Sequence, residues 1–206
     1  MDLASKLPMS FYRECDAVDA ARRLLGCVLV TQSDRALTAG IISETEAYMG
    51  VTDRASHAFG GRRTRRTETM YMDGGHAYVY LIYGMYSCMN VVVNRSDIPH
   101  AVLIRGIIPL LGINIMRERR GSGRSAAIHT ADGPGRLCRA MGIDRSYDTE
   151  PLDGNRIFIS DCGYKPSEIL TGRRINIDYA GEDVTNPWRF FLPPDDRLYS
   201  LTDVHL

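Results

Sequence analysis

Residues 78–93 read YVYLIYGMYSCMNVVV, with Gly84 near the middle. Two runs of apolar and aromatic residues flank a glycine, the pattern of two strands joined by a tight turn. The reading places strands over 78–83 and 85–93, paired as an antiparallel hairpin. Side chains alternate along a strand, so Tyr78, Tyr80 and Ile82 share one face and Val79, Leu81 and Tyr83 the other. Tyr78, Tyr80, Tyr83 and Tyr86 together offer flat π surfaces. Tyr83 stands beside the turn, where a large ring is a poor choice unless something covers it. Either it folds back over the sheet or joins a protein contact, or it stacks on or wedges between nucleobases.

Working outward, strand patterns recur. CVLVTQ (27–32) and LTAGIISETEAYM (37–49) are separated by a polar turn at Ser33 and Asp34, and AVLIRGIIPL spans 101–110. RIFISD (156–161), RRINIDYA (173–180) and WRFFLP (188–193) are read as late strands. DAVDAARRLLG (16–26) predicts a helix capped by Asp16, ended by Gly26, with Val18, Ala21, Leu24 and Leu25 on one face. Residues 67–72 predict a helical turn, 111–120 a helix with a basic end, and ADGPGRLCRAMGI (131–143) a helix opened by a Gly-Pro-Gly turn. Helices fall between strands without a βαβ rhythm. The expected class is α+β, with a mostly antiparallel sheet.

The chain has 206 residues, 44% of them hydrophobic, enough for one domain over 1–206 with a real core. It has no apolar run of membrane-spanning length and no apolar signal core at the N-terminus, so no membrane association and a cytoplasmic address are expected. Cys15, Cys27, Cys88, Cys138 and Cys162 show neither zinc-ligand spacing nor a disulfide framework, and are read as buried free thiols. Zero net charge conceals an asymmetry: residues 1–53 carry −3, 54–139 carry +8 and 140–206 carry −5. A basic middle folded onto one face would bind a polyanion, whereas arginines paired locally would not.

ISETEAYM (42–49), read as a strand, projects Glu44, Glu46 and Tyr48 from one face. Burying a carboxylate without partners is costly, so that face borders a cleft or water. A carboxylate against an aromatic wall acquires a raised pKa and the character of a general base; a solvated strand face with a capping carboxylate is the plainer alternative. His57 lies in the loop 50–68, and the other histidines are scattered, which argues against metal catalysis. RRTRR (62–66) and RERRGSGR (117–124) are dense enough to meet phosphates, or equally to be solvated faces.

ETEAYMG (44–50), HAFGGRRT (57–64), MYMDGGHAYVYLIYGMYSCMNVV (70–92), AVLIRG (101–106), GPGRLC (133–138) and PWRF (187–190) follow one another in an order that resembles the alkyladenine (3-methyladenine) DNA glycosylase family. The resemblance implies a single mixed domain with a curved antiparallel sheet and a protruding hairpin. It implies an enzyme that flips alkylated or deaminated purines, of the 3-methyladenine, 7-methylguanine, hypoxanthine and ethenoadenine class, from duplex DNA and hydrolyses the glycosidic bond in base excision repair. By the same resemblance Glu46 is the general base and Arg105 helps hold the water. Tyr48 and His57 sandwich the flipped base, Tyr80 is a third wall, Tyr78 orients His57, and Asn90 crowds the amino group of normal guanine. Tyr83 is the wedge, Met85 and Tyr86 lie beside it in the minor groove, and Arg136 meets a phosphate.

Departures are few. Arg136 replaces the family's usual lysine, and Gly172 stands where proline is common. Glu44 matches the family and is expected to support the site through hydrogen bonds. Lys6 and Lys165 are the only lysines, and neither lies in a pocket motif, so water rather than an amine is the expected nucleophile and the enzyme is expected to be monofunctional. No cofactor or metal is expected, and the protein is expected to be monomeric and nucleoid-associated. Two other readings compete: a damage-recognition protein that does not cleave, and an interaction module with the tyrosines as its interface.

Overall fold

The computed structural model describes residues 5–33, 36–121 and 131–193. Asp34 of the first predicted turn, Arg124 of the second basic run, and His129 and His205 lie outside the described residues. The fold is mixed α and β. Its elements are α1 (Met9–Arg13), α2 (Ala17–Arg23), β1 (Val28–Ser33), β2 (Ala36–Tyr48), β3 (Ala77–Ile82), β4 (Tyr86–Val93), β5 (His100–Leu111), α3 (Ile113–Arg120), α4 (Pro134–Met141), β6 (Ile157–Ser160), β7 (Leu170–Gly172) and β8 (Arg189–Phe191).

The eight strands form one open sheet in the order β3-β4-β5-β2-β1-β6, with β8 on β2 and β7 on β8. Every named strand pair is antiparallel. The 13-residue β2 is the organising strand. Its first half pairs with β1 on one edge, and the same edge from Glu44 onward pairs with β8. The exchange of partner coincides with register shifts against β5 between Ile42 and Glu44 and between Glu44 and Thr45. Bulges bend a strand and re-aim its side chains, and here they fall beside the two carboxylates.

α2 forms where the sequence predicts it. The Asp16 side chain accepts from the Asp19 N–H, and Gly26 leaves the helical region at φ 88°. Its buried stripe is Ala17, Ala20, Ala21 and Leu24, while Val18 is only half-buried. The small side chains let the helix lie close to the sheet. Tyr12, Leu29, Ile41, Met89, Ile104 and Leu137 are fully buried in the core between the helices and the sheet.

Three elements differ from expectation, the first being β7, which pairs with β8 where no strand was predicted. α1, over Met9–Arg13, was not legible because five residues make too short a periodic pattern. The alternating RRINIDYA is not a strand. Asn176 takes φ 59°, Arg174 turns inward and Ile177 is buried, and a 3₁₀ segment follows over Asp178–Thr185. The positive φ breaks the extended chain.

Candidate active site

The bulged end of β2 carries Glu46 and Tyr48 to one place. The Glu46 side chain is fully buried, yet both oxygens are partnered. Its Oε1 accepts from the Ile175 N–H at 2.8 Å, and its Oε2 accepts from the Tyr48 hydroxyl at 2.9 Å. Arg105 on β5 brings its Nε to 3.4 Å from Glu46 Oε1 and donates to Glu44 Oε1 at 3.0 Å. Burial raises the Glu46 pKa above its usual value. Arg105, the Ile175 N–H and the Tyr48 hydroxyl oppose that rise, and Glu44 adds to it. Burial lowers the Arg105 pKa, but Glu46 and Glu44 outweigh it and hold the guanidinium above its usual range. The result is a carboxyl group with a strengthened appetite for protons, set against a permanent cation.

A pocket of about 330 Å³, counting its open mouth, has Tyr48, His57, Tyr80 and Asn90 among its walls. His57 reaches it from the loop after β2. Its Nδ1 lies 2.9 Å from the Tyr78 hydroxyl, and its ring centroid is 4.6 Å from that of Tyr80, nearly edge-on at 74°. Burial lowers the His57 pKa to about 4, with Arg66 and Arg62 adding to the effect. Tyr78 and Tyr80 project from β3 on the face predicted by alternation. The Arg66 guanidinium carbon sits 5.2 Å from the Tyr80 ring centroid. Asn90, paired with Tyr78 across the hairpin, is buried, and its Nδ2 donates to the Tyr78 carbonyl at 3.1 Å.

The hairpin of β3 and β4 turns through Tyr83 and Gly84 at φ 53° and 70°. Both central residues have positive φ, the conformation that suits the twist of a hairpin. Tyr83, Met85 and Tyr86 are exposed at its tip by 78%, 69% and 47%. Tyr86 is braced from below, since a Cβ on Gly135 of α4 would stand 3.2 Å from the Tyr86 Cβ. Arg136 follows on the exposed side of α4, its Nη1 3.5 Å from the Asp132 carbonyl. Burial lowers the Arg120 pKa, Arg136 and Arg139 add to the fall, and Tyr86 opposes it. Among the described residues none of these three arginines makes an ion pair.

The structure thus gathers Tyr48, His57, Tyr78, Tyr80 and Asn90 in the walls of one pocket, with the buried Glu46 joined to it through the Tyr48 hydroxyl and Arg105 beside Glu46. It keeps Tyr83, Met85, Tyr86 and Arg136 apart from it, on the hairpin tip and α4. Glu44 is not among the pocket's walls and acts as a partner of Arg105. Sequence reasoning missed several contributors. Ala55, Ser56, Met70, Ala101 and Tyr179 also line the pocket. Tyr179 is 71% exposed at its mouth, with its hydroxyl 3.3 Å from the Ala55 carbonyl. The Ile175 N–H was unreadable because any residue but proline carries one. Asn176 was the available signal, a residue that tolerates positive φ in the middle of an alternating run. Both lysines are engaged elsewhere: Lys6 with the Asp153 and Gly154 carbonyls and Asn155, Lys165 with Asp161. Among the described residues no helix is long and apolar enough to cross a membrane.

The family model described as methylpurine-DNA glycosylase matches residues 10–196. A relative from Clostridium acetobutylicum, named "Putative 3-methyladenine DNA glycosylase", is 43% identical over 193 residues, covering 91% of this chain and 94% of its own. Relatives of the same name from Bacillus cytotoxicus and Bacillus subtilis are 45% and 44% identical, covering 90% of this chain and 95% and 92% of theirs.

Proposed function

The chain belongs to the methylpurine-DNA glycosylase family, DNA-acting hydrolases of base repair, and from that premise we propose that it turns an alkylated or deaminated purine nucleotide out of duplex DNA and hydrolyses its glycosidic bond as a monofunctional enzyme. The observation that carries this reading is the fully buried Glu46 carboxyl, partnered on both oxygens and hydrogen-bonded to Tyr48, a wall of an aromatic pocket whose strand β3 leads to an exposed hairpin tip.

In this reading Tyr83 enters the duplex and fills the gap left by the flipped nucleotide. Tyr48, His57 and Tyr80 stack on and around the base. An alkylated purine carries positive charge, which the aromatic faces favour by about 0.5–2 kcal/mol. A neutral His57, kept so by its lowered pKa, adds no repulsion. Asn90 narrows the pocket against the amino group of normal guanine. The Glu46 carboxylate takes a proton from water as the water oxygen bonds to C1′. The C1′–N bond breaks and its electron pair stays with the base, neutralising an alkylated, cationic base and leaving a deaminated base as an anion that takes a proton from water. Arg105 steadies the water and keeps Glu46 ionised. Both lysine amines are held away from the pocket, which supports water as the nucleophile. The exposed arginines near Tyr86 fit the phosphates of a duplex, with the protein working as a monomer.

The test is release of free 3-methyladenine and of hypoxanthine from damaged duplex DNA. Glu46→Gln is expected to lower release by about 10²–10⁴-fold while damaged duplex is still bound. Release by Glu46→Gln at the wild-type rate would remove Glu46 as the base.

A further inference from the structure

Behind the pocket lies an ion pair that the chemistry above does not use. Arg174 and Asp53 have fully buried side chains. Arg174 Nη2 donates to Asp53 Oδ1 at 2.8 Å and Nη1 to Oδ2, the bidentate fork that only arginine makes. Nη1 also donates to the Ala47 carbonyl at 3.0 Å, on β2 between Glu46 and Tyr48. Asp53 accepts from the N–H groups of Ala55 at 3.0 Å and Met49 at 3.1 Å, in the loop that leads to His57. The guanidinium carbon lies 4.9 Å from the Tyr48 ring centroid and 5.0 Å from that of Trp188. The next residue, Ile175, gives its N–H to Glu46.

Three segments therefore meet at one buried fork: the end of β2, the loop after it, and the turn at 173–177. Burying a full ion pair is costly, and the cost here is greater because Arg174 Nε has no partner among the described residues. A well-packed apolar cluster would join the same segments at less expense, but it would not aim a specific N–H at a specific oxygen. We propose that Arg174, anchored by Asp53, is a positioning residue that holds the Ile175 N–H on Glu46 and the Tyr48 ring in place as the pocket wall. The inference rests on Glu46 being the general base.

The groups facing Glu46 set what the test reads. They are Glu44 and Tyr48 on β2, Arg105 on β5, Cys88 on β4, Arg189 opposite on β8, and Arg174 and Tyr179 from the segment after β7. Losing the Ile175 hydrogen bond leaves Arg105 and Tyr48 to hold the carboxylate alone, so the acidic limb of the rate profile moves to higher pH.

Two variants separate positioning from charge and from folding. Arg174→Lys keeps the cation and loses the fork. Asp53→Asn with Arg174→Gln removes both charges and leaves hydrogen-bonding groups at both positions. Each is compared with the wild type and Glu46→Gln by single-turnover release of 3-methyladenine from methylated duplex DNA, across pH, with duplex affinity and thermal melting measured alongside. The expected result for both variants is a cooperative melt, a rate lowered about 10–100-fold at saturating enzyme and an acidic limb raised by about half a unit or more, with duplex affinity changed less than the rate. A folded variant with the wild-type rate and limb overturns the inference, as does a rate that falls only in proportion to lost folded protein. If Glu46→Gln is inactive while the variants behave as wild type, the positioning role alone fails. If Glu46→Gln releases base normally, the base assignment fails and takes this inference with it.

Discussion

The hydroxyl of Tyr48 donates to Glu46 Oε2 at 2.9 Å, so one hydrogen bond joins a wall of the pocket to the buried carboxyl. The two residues stand two apart on β2, so alternation turns both side chains to the same face of the strand and brings them within reach of one another.

Tyr48→Phe keeps the ring and removes that bond. The hydroxyl favours the carboxylate against the burial that raises the Glu46 pKa above 4.5. The base acts as a carboxylate, so activity falls as pH drops through the raised value. The variant is expected to lose rate by about threefold on the acidic side, with its limb about half a unit higher. A pH profile of single-turnover release measures it. Stability follows the opposite sense for this group. Above 4.5 the unfolded carboxyl has lost its proton while the folded one holds it, so stability declines as pH rises toward the raised pKa. Glu46→Gln is expected to remove that decline from the melting curve.

His57 is expected to stay neutral at pH 5.5, since burial and the charges of Arg66 and Arg62 hold its pKa near 4. NMR titration of the ring C–H resonances checks this. Between about 6.5 and about 4 the unfolded histidine binds a proton that the folded one refuses, so this residue's stabilising contribution is lost as pH falls through that window. Arg66→Ala is expected to move the titration upward, toward 6.5. An unmoved midpoint would mean that burial and Arg62 set it without Arg66.

Tyr83→Gly relieves a positive φ of 53° and removes a ring that is 78% exposed. Thermal stability is expected to hold or rise by up to about 1 kcal/mol. Release from duplex DNA is expected to fall about tenfold or more, because the unstacking that a wedge offsets is worth a few kcal/mol. The same lesion in single-stranded DNA, already unpaired, is expected to show a much smaller loss.

Arg136→Ala is expected to weaken duplex binding about equally for damaged and undamaged sequences. The slope of log affinity against log salt should become shallower by about one. Fluorescence anisotropy over a salt series measures it. An unchanged slope would place Arg136 off the phosphate backbone.

Much of this molecule was legible in order along the chain. Alternation placed Tyr78 and Tyr80 on one face, the flanking runs around Gly84 placed the hairpin, and Asp16 and Gly26 bracketed α2. These are local signals, carried by a period or a turn residue. The reading failed at 173–180, where the alternation of Arg, Ile and Asp looked like a strand. What overrode it was non-local: Arg174 finding Asp53, 121 residues away, and Asn176 accepting a positive φ. No period in the sequence reports a partner at that distance.

The sequence by itself therefore determined the antiparallel hairpin with its tyrosines, the strand bearing Glu44, Glu46 and Tyr48, and the family. Each depends on neighbours within a few residues or on matching order along the chain. Only the tertiary structure decided that the Glu46 side chain is fully buried, that Arg105 and the Ile175 N–H meet it, and that the buried Arg174–Asp53 pair lies behind the Tyr48 wall. Burial and long-range hydrogen bonds set the basicity of a carboxylate. They depend on which distant segments share its cleft, and chain order leaves that open.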